Sequence, residues 1–123
     1  MTDAPLSFKE MCTRFEVTPR TLRYYEYIEL LSPARDGRAR LYGPRDVARM
    51  TLILRGRRFG FSLEEIRQWL LLYDQKGSRE QATAFLHLAD RQLIELRRQR
   101  RDLDETIADL KQLRAATQAN ARG

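Results

Sequence analysis

The sequence is poor in the residues that build metal sites and covalent chemistry. It has one cysteine, Cys12, and one histidine, His87, among 123 residues. A lone cysteine cannot form an internal disulfide, and one thiol with one imidazole cannot complete a specific thiolate metal site. No set of nucleophile, base and metal ligands suited to catalysis is evident. We therefore expect a protein that is not an enzyme and has no cofactor and no metal site.

Long apolar runs are also missing. No stretch of about 18 apolar residues occurs, so the sequence predicts no membrane span and no membrane partner. The first five residues lack the basic and apolar blocks of a signal peptide. Since nothing requires an oxidising compartment, we expect a cytoplasmic protein.

What the chain does have is an excess of positive charge in one place. The net charge is +6, and residues 35–58 alone carry eight arginines against two aspartates. These arginines are Arg35, Arg38, Arg40, Arg45, Arg49, Arg55, Arg57 and Arg58. Guanidinium groups bind phosphate oxygens bidentately and keep their charge. The segment predicts a footprint for a polyanion, whereas a merely solvated basic face usually includes lysines.

Capping residues predict where the helices begin. Ser7 with Glu10 and Ser62 with Glu65 match the capping box, and Ser78 with Gln81 is a variant of it. Thr18-Pro19 and Gly43-Pro44 are typical helix starts, with proline in the first turn. The sequence predicts helices over 7–15, 18–28, 44–58, 62–74 and about 79–117.

The first two predicted helices form a helix-turn-helix, because only Glu16-Val17 separates them. On the second helix, Leu22 and Tyr25 repeat at helical spacing and are expected to face the core. The other faces carry Arg20, Thr21, Arg23, Tyr24 and Tyr27, which suit contacts with phosphates and base edges in a major groove. An ordinary surface helix would be the alternative.

A basic hairpin is predicted directly after this helix, over residues 31–42. The dipeptide Asp36-Gly37 indicates a tight turn, and Pro33 limits the first strand to an edge. Arg38, Arg40 and Tyr42 lie in or beside the turn. A small hairpin of this kind is a wing, placed to lie over the adjacent backbone or minor groove.

From about residue 79 the pattern becomes a heptad repeat. Seven of its ten core positions are apolar, and a helix of about 55–60 Å has nothing of its own to bury them against. We therefore predict an antiparallel homodimer, with Arg100 as a polar core position that fixes register or orientation. The predicted dimerisation residues are Leu86, Ala89, Leu93, Leu96, Arg100, Leu103, Ile107 and Leu110.

These segments together resemble the MerR family of transcriptional regulators. The resemblance covers roughly residues 6–75 and rests on the run 18–26, on Leu30-Leu31-Ser32-Pro33, on Arg40-Leu41-Tyr42 and on 59–66. Glu29 stands where the family usually has glycine. A finer resemblance, in residues 54–63 and 72–74, is to a proteobacterial subgroup tied to branched-chain amino acid and acyl-CoA catabolism.

The resemblance implies a mainly α-helical fold, a winged helix-turn-helix domain at 6–77, a dimerisation coiled coil at 78–118 and a flexible tail at 119–123. It also implies a bacterial homodimer that binds pseudo-palindromic promoter DNA, distorts it and thereby acts indirectly on RNA polymerase. By analogy, the DNA contacts come from Thr18, Arg20, Thr21, Arg23, Tyr24, Arg38, Arg40, Tyr42, Arg57 and Arg58.

The chain departs from the metal-sensing and drug-sensing branches of that family. The dimerisation helix has no cysteine near either end, and the residues after the helix are too few for a ligand domain. The effector is left open. Two other functions also stay open: an excisionase-like or architectural DNA-binding protein, and a coiled-coil adaptor that binds only protein. The arginine-rich segment argues against the adaptor.

Overall fold

The fold is mainly helical, with a small hairpin after the second helix. A computed structural model describes residues 4–123, apart from the side chains of Tyr73, Gln75 and Lys76. The elements are α1 (Phe8–Phe15), α2 (Pro19–Tyr27), β1 (Ala34–Asp36), β2 (Ala39–Leu41), α3 (Pro44–Phe59), α4 (Leu63–Lys76) and α5 (Ser78–Arg122). This order confirms the predicted fold class. None of the described helices is both long and apolar enough to cross a membrane.

Most helix starts use the capping chemistry expected from the sequence. At α1 the Ser7 hydroxyl accepts from the Glu10 N–H at 3.1 Å, and the Glu10 carboxylate accepts from the Ser7 N–H at 2.9 Å. These hydrogen bonds lower the pKa of Glu10. Ser62 and Glu65 make the same reciprocal pair before α4. Each box satisfies N–H groups that the first turn leaves unpaired.

The third predicted box is wrong in its register. Helix α5 begins at Ser78 itself, and the Gln81 N–H donates to the Gly77 carbonyl at 3.2 Å. Gly77, with φ of 90°, therefore stands at the start of α5. Helix α5 also continues past its predicted end near residue 117, to Arg122, and the flexibility of the tail at 119–123 stays a prediction. Alanine, glutamine and arginine in this region have the high helix propensity that such an extension needs.

Two turns place glutamate in a conformation that favours glycine. Glu16, between α1 and α2, has φ of 54°, and Glu29, just after α2, has φ of 65°. In left-handed backbone the Cβ atom of an ordinary residue crowds the following carbonyl. The helix-turn-helix therefore forms without the usual glycine, at some cost in backbone strain.

The hairpin is antiparallel and pairs Arg35 with Arg40. Asp36 is the last residue of β1, so the turn consists of Gly37 and Arg38, with Gly37 at φ of 64°. Leu6 and Tyr42 exchange backbone hydrogen bonds of 2.8 Å in both directions. The segment before α1 is thereby attached to the base of the hairpin.

The chain divides into two compact units, one up to Ala82 and one covering Thr83–Gly123. The first holds the core, which comprises Met11, Leu22, Tyr25, Leu30, Leu31, Tyr42, Met50, Ile53, Phe61, Ile66 and Leu70. Gly56 also lies in this core, where an added Cβ would come within 2.9 Å of the Ile66 side chain. In the second unit none of the described side chains is buried.

Candidate nucleic-acid interface

Helix α2 separates an apolar face from a basic one, as its sequence predicts. Leu22 and Tyr25 are buried, whereas Arg20, Arg23 and Tyr24 are exposed. Packing of the apolar face thus holds the helix, and the guanidinium groups remain on the solvent side. This face has the chemistry needed to contact a duplex.

Thr18 and Thr21 are engaged with each other at the start of α2. The Thr18 oxygen accepts the Thr21 N–H at 3.0 Å, and the Thr18 hydroxyl donates to the Thr21 hydroxyl oxygen at 2.9 Å. Thr18 is exposed and Thr21 is half-buried. Their main role here is to cap the helix, and DNA contacts from these two residues stay a prediction.

The hairpin carries one basic residue at its tip. Arg38 occupies the second turn position and is exposed, so it lies where a wing would meet DNA. Arg57 and Arg58 are also exposed, in the last turn of α3. These three residues agree with their predicted positions at the surface, and their contacts with DNA stay predictions.

Tyr42 does not agree with its predicted role. It is 0% exposed, and its hydroxyl donates to Oε2 of the Glu26 carboxylate. Burial and this hydrogen bond both raise the pKa of Tyr42. A phenol in this position cannot reach a phosphate, so we correct Tyr42 from a DNA contact to a core residue.

Arg40 is only partly available at the surface. Its Nε donates to Oε1 of Glu26 at 2.8 Å, with 26% of the arginine side chain and 12% of the glutamate side chain exposed. Glu26 thus joins α2 to Arg40 in β2 and to Tyr42 directly after β2. A bond to a charged group in a partly buried place is among the stronger hydrogen bonds in proteins.

Phe8 adds a third element to this arrangement. The guanidinium carbon of Arg23 lies 5.2 Å from the centre of the Phe8 ring, and that of Arg40 lies 5.1 Å from it. The ring at the start of α1 therefore meets one arginine from α2 and one from β2. We call Phe8, Arg23, Glu26, Arg40 and Tyr42 the Phe8 cluster.

Part of the arginine-rich segment has a structural role. Arg45 donates to Asp74 at 2.9 Å, and Arg49 pairs with the same carboxylate at 3.3 Å. Arg49 Nε also donates to the Leu30 carbonyl at 2.9 Å. These arginines connect α3 to the end of α4 and to the segment after α2. Arg49 is therefore engaged within the fold, whereas the Arg45 side chain remains 72% exposed.

Sequence reasoning missed Phe8 and Glu26 as members of the interface. Glu26 lies inside the run 18–26 that carries the family resemblance, which was a usable signal. Phe8 had no such signal in the sequence, because it is simply the first apolar residue after a helix cap. Glu26 contacts Arg40 and Tyr42, which lie 14 and 16 positions further along the chain. No local sequence pattern reports contacts of this length.

The predicted dimerisation stripe is exposed on α5. Leu86, Leu93, Leu96, Leu103, Ile107 and Leu110 are all among the exposed large apolar side chains. Ile94 and Leu113 are exposed as well, outside the core positions of the heptad. Between the leucines, Arg98 pairs with Glu95 at 2.5 Å and Asp102 at 3.1 Å along the helix surface.

The donor set does not fit a soft-metal site. Among the described residues no group of three or more histidine, cysteine, aspartate or glutamate side chains is placed to hold a metal ion. Cys12 is half-buried in α1, and burial raises the pKa of its thiol. A raised thiol pKa disfavours the thiolate that soft metals need.

Two family profiles match the chain. The profile described as MerR HTH family regulatory protein covers residues 6–72, and the one described as MerR, DNA binding covers residues 47–113. Together they include the helix-turn-helix, the hairpin, α3, α4 and most of α5.

Individual relatives agree with the profiles. The chain is 36% identical to HTH-type transcriptional regulator HmrR of Rhizobium leguminosarum bv. viciae over 95% of this chain and 90% of that protein. It is 37% identical to Heavy metal-dependent transcription regulator 2 of Rhizobium meliloti over 60% and 54% of the two chains. A crystal structure of a MerR-family transcriptional regulator from Bacillus cereus superposes with a TM-score of 0.73 at 26% identity, covering 88% of this chain and 78% of the other.

The names of these relatives correct the finer resemblance drawn from the sequence. Several of the similar proteins are named as heavy-metal or mercuric-resistance regulators. The assignment to a subgroup of branched-chain amino acid and acyl-CoA catabolism is therefore wrong. The short runs at 54–63 and 72–74 carry the general α3–α4 pattern and do not identify a branch.

Proposed function

The chain belongs to the MerR family of DNA-binding transcriptional regulators and is not an enzyme, and from this membership we propose that two copies bind one pseudo-palindromic promoter site. In this proposal each copy places α2 in a major groove and the hairpin over the neighbouring backbone. The DNA between the half-sites is distorted, which changes how RNA polymerase meets the promoter. We propose that the protein acts in the cytoplasm, where a regulator of bacterial promoters would meet its DNA.

The observation that carries the proposal is the division of α2 into two faces. Leu22 and Tyr25 are in the core, while Arg20 and Arg23 are exposed on the same helix. Exposed Arg38 follows on the hairpin tip, and Arg57 and Arg58 are exposed at the end of α3. A surface with this density of exposed guanidinium groups favours DNA as its ligand.

The homodimer is supported by the exposed stripe on α5. Six large apolar side chains at heptad core positions are exposed in one chain. Burial of such a stripe stabilises association by the apolar area removed from water. We propose that a second copy in antiparallel orientation covers it, and that Ala89 and Arg100 share the same interface.

We propose no metal-dependent step for these residues, although some relatives are named for heavy metals. With one cysteine in α1 and one histidine on α5, the chain does not supply two thiolates.

The DNA proposal is tested by selection of bound duplexes from a random pool. We expect one enriched sequence with two related halves, and an affinity that falls steeply with salt. Arg23→Ala is expected to weaken binding to it by about 1–3 kcal/mol without unfolding the chain. The control is Arg101→Ala, an exposed arginine on α5. A pool that enriches no sequence would contradict the proposal.

The dimer proposal is tested by two neighbouring substitutions. Leu93→Lys places a charge in the stripe, whereas Ile94→Lys places the same charge one position away; both side chains are exposed in the single chain. We expect sedimentation to show a dimer for the wild type and Ile94→Lys, and a shift to monomer for Leu93→Lys. Equal behaviour of the two variants would exclude this stripe as the interface.

A further inference from the structure

The Phe8 cluster contains a charge arrangement that DNA contacts alone do not explain. Two guanidinium groups, from Arg23 and Arg40, lie within 5.2 Å and 5.1 Å of the centre of one phenylalanine ring. Each guanidinium is attracted to the face of the ring. The Glu26 carboxylate, 2.8 Å from Arg40 Nε, balances the charge of Arg40.

The two arginines have different surroundings. Arg40 is half-buried and paired with Glu26. Arg23 is exposed, and within residues 4–123 it forms no ion pair with a carboxylate whose side chain the structure describes. The Arg23 guanidinium thus lies against the Phe8 ring, and no described carboxylate is paired with its charge.

We propose that Phe8 is a positioning residue that holds Arg23 ready for DNA, with Glu26 and Arg40 fixing the ring's surroundings. The proposal rests on the proposed function, in which Arg23 contacts the operator. An unrestrained arginine loses side-chain entropy when DNA orders it. A guanidinium already held over a ring loses less, so the ring raises affinity where Arg23 needs one orientation.

This role predicts an effect on specificity and little effect on general attraction to DNA. Substituting Phe8 by another uncharged residue leaves the charge of the protein unchanged, so the number of phosphates that it neutralises on DNA should stay the same. The slope of affinity against salt concentration reports that number. A purely structural Phe8 would change folding stability, and an additional phosphate contact would change the slope.

The experiment measures binding of the full chain to the selected operator and to an unrelated duplex. Phe8→Leu keeps an apolar side chain but removes the ring. We expect affinity for the operator to fall about threefold to thirtyfold, with the salt slope and the affinity for the unrelated duplex unchanged. Phe8→Tyr and Phe8→Trp keep an aromatic face and should bind the operator as the wild type does.

A matched control lies on the same helix. The Arg14 guanidinium lies over the Phe15 ring at 6.0 Å, but Arg14 belongs to α1 and not to α2, the helix proposed to enter the major groove. Phe15→Leu therefore removes a similar pair, and it should leave operator affinity unchanged. Thermal unfolding of each variant separates a change in DNA binding from a change in folding.

A double-mutant cycle keeps the proposal testable if Phe8→Leu is less stable. In an Arg23→Ala background, Phe8→Leu should have no further effect on operator affinity, because the group it positions is absent. Additive effects would overturn the proposal, as would equal losses in Phe8→Leu and Phe8→Tyr or wild-type affinity in Phe8→Leu. If the wild type enriched no sequence, the proposed function would fail first, and this inference with it.

Discussion

The unit up to Ala82 and the α5 segment beyond it differ in whether their large apolar side chains are buried. Among its described residues, the first unit buries eleven apolar side chains, from α1, α2, α3, α4 and the segments beside them. The second leaves leucines and isoleucines exposed along its length. One region is stabilised by contacts within the chain, whereas the other has an exposed apolar stripe that, in our proposal, a second copy covers.

The difference also applies to charged residues. In the first unit, Glu26 with Arg40 and Asp74 with Arg49 join elements that are far apart in sequence. On α5, Arg98 pairs with Glu95 and Asp102, three and four positions away. The first kind of pair fixes tertiary structure, and the second kind supports only the helix that carries it.

Two isoleucines give the largest expected contrast between the regions. Ile53 is 0% exposed and Ile107 is 49% exposed. Ile53→Ala is expected to lower the free energy of unfolding by about 2–5 kcal/mol at any protein concentration. Ile107→Ala should act on dimer formation, so its effect on thermal unfolding should depend on protein concentration. Concentration-independent loss at both sites would break the comparison.

Glu26 and Asp102 compare the two kinds of ion pair. Glu26→Ala removes the partner of Arg40 Nε and of the buried Tyr42 hydroxyl. We expect the free energy of unfolding to fall by about 1–3 kcal/mol, measured by urea denaturation. Asp102→Ala breaks an exposed pair with Arg98 and should cost no more than about 0.5 kcal/mol. Similar losses from both variants would show that the location of the pair is unimportant.

Backbone conformation predicts that glycine substitutions at two glutamates have opposite effects on the free energy of unfolding. Glu29 has φ of 65°, so Glu29→Gly is expected to raise the free energy of unfolding by about 1 kcal/mol. Glu105 lies within α5, where Glu105→Gly should destabilise the helix by about 1 kcal/mol. Chemical denaturation measures both. A loss of stability in Glu29→Gly would mean that the glutamate side chain contributes more than its strain costs.

The smallest expected effect appears only in alkaline solution. The pKa of Tyr42 is raised from its ordinary value of 10.0, so the folded state favours the neutral phenol. This stability is fully present below pH 10 and is lost as the pH rises towards the folded pKa, because the unfolded chain ionises first. Tyr42→Phe should reduce the alkaline loss seen in urea denaturation from pH 8 to 11.

The control for that experiment is Tyr27→Phe. It removes the same hydroxyl from a side chain that is 83% exposed, and it should leave the alkaline loss in place. If both variants lost stability in alkali as the wild type does, Tyr42 would not be the group responsible.

Local patterns predicted the elements well because capping and periodicity depend on neighbours in sequence. Ser7 with Glu10, Thr18 with Pro19, and Ser62 with Glu65 all cap the expected helices. The prediction failed at Ser78, because α5 begins at Ser78 itself and the Gly77 carbonyl accepts the Gln81 N–H. A shift of one residue leaves the local pattern unchanged. Helix α5 also continues past its predicted end near residue 117, to Arg122, because alanine, glutamine and arginine in that region favour helix.

The sequence alone determined the helices, the hairpin, the basic face of α2 and the apolar stripe of α5. Each depends on residues at most a few positions apart. Only the tertiary structure decided that Tyr42 is buried, that Arg40 pairs with Glu26, and that Arg23 meets Phe8. The physical reason is that exposure and ion pairing depend on which elements pack together. A tyrosine or arginine beside a turn has the same local pattern whether it faces solvent or the core.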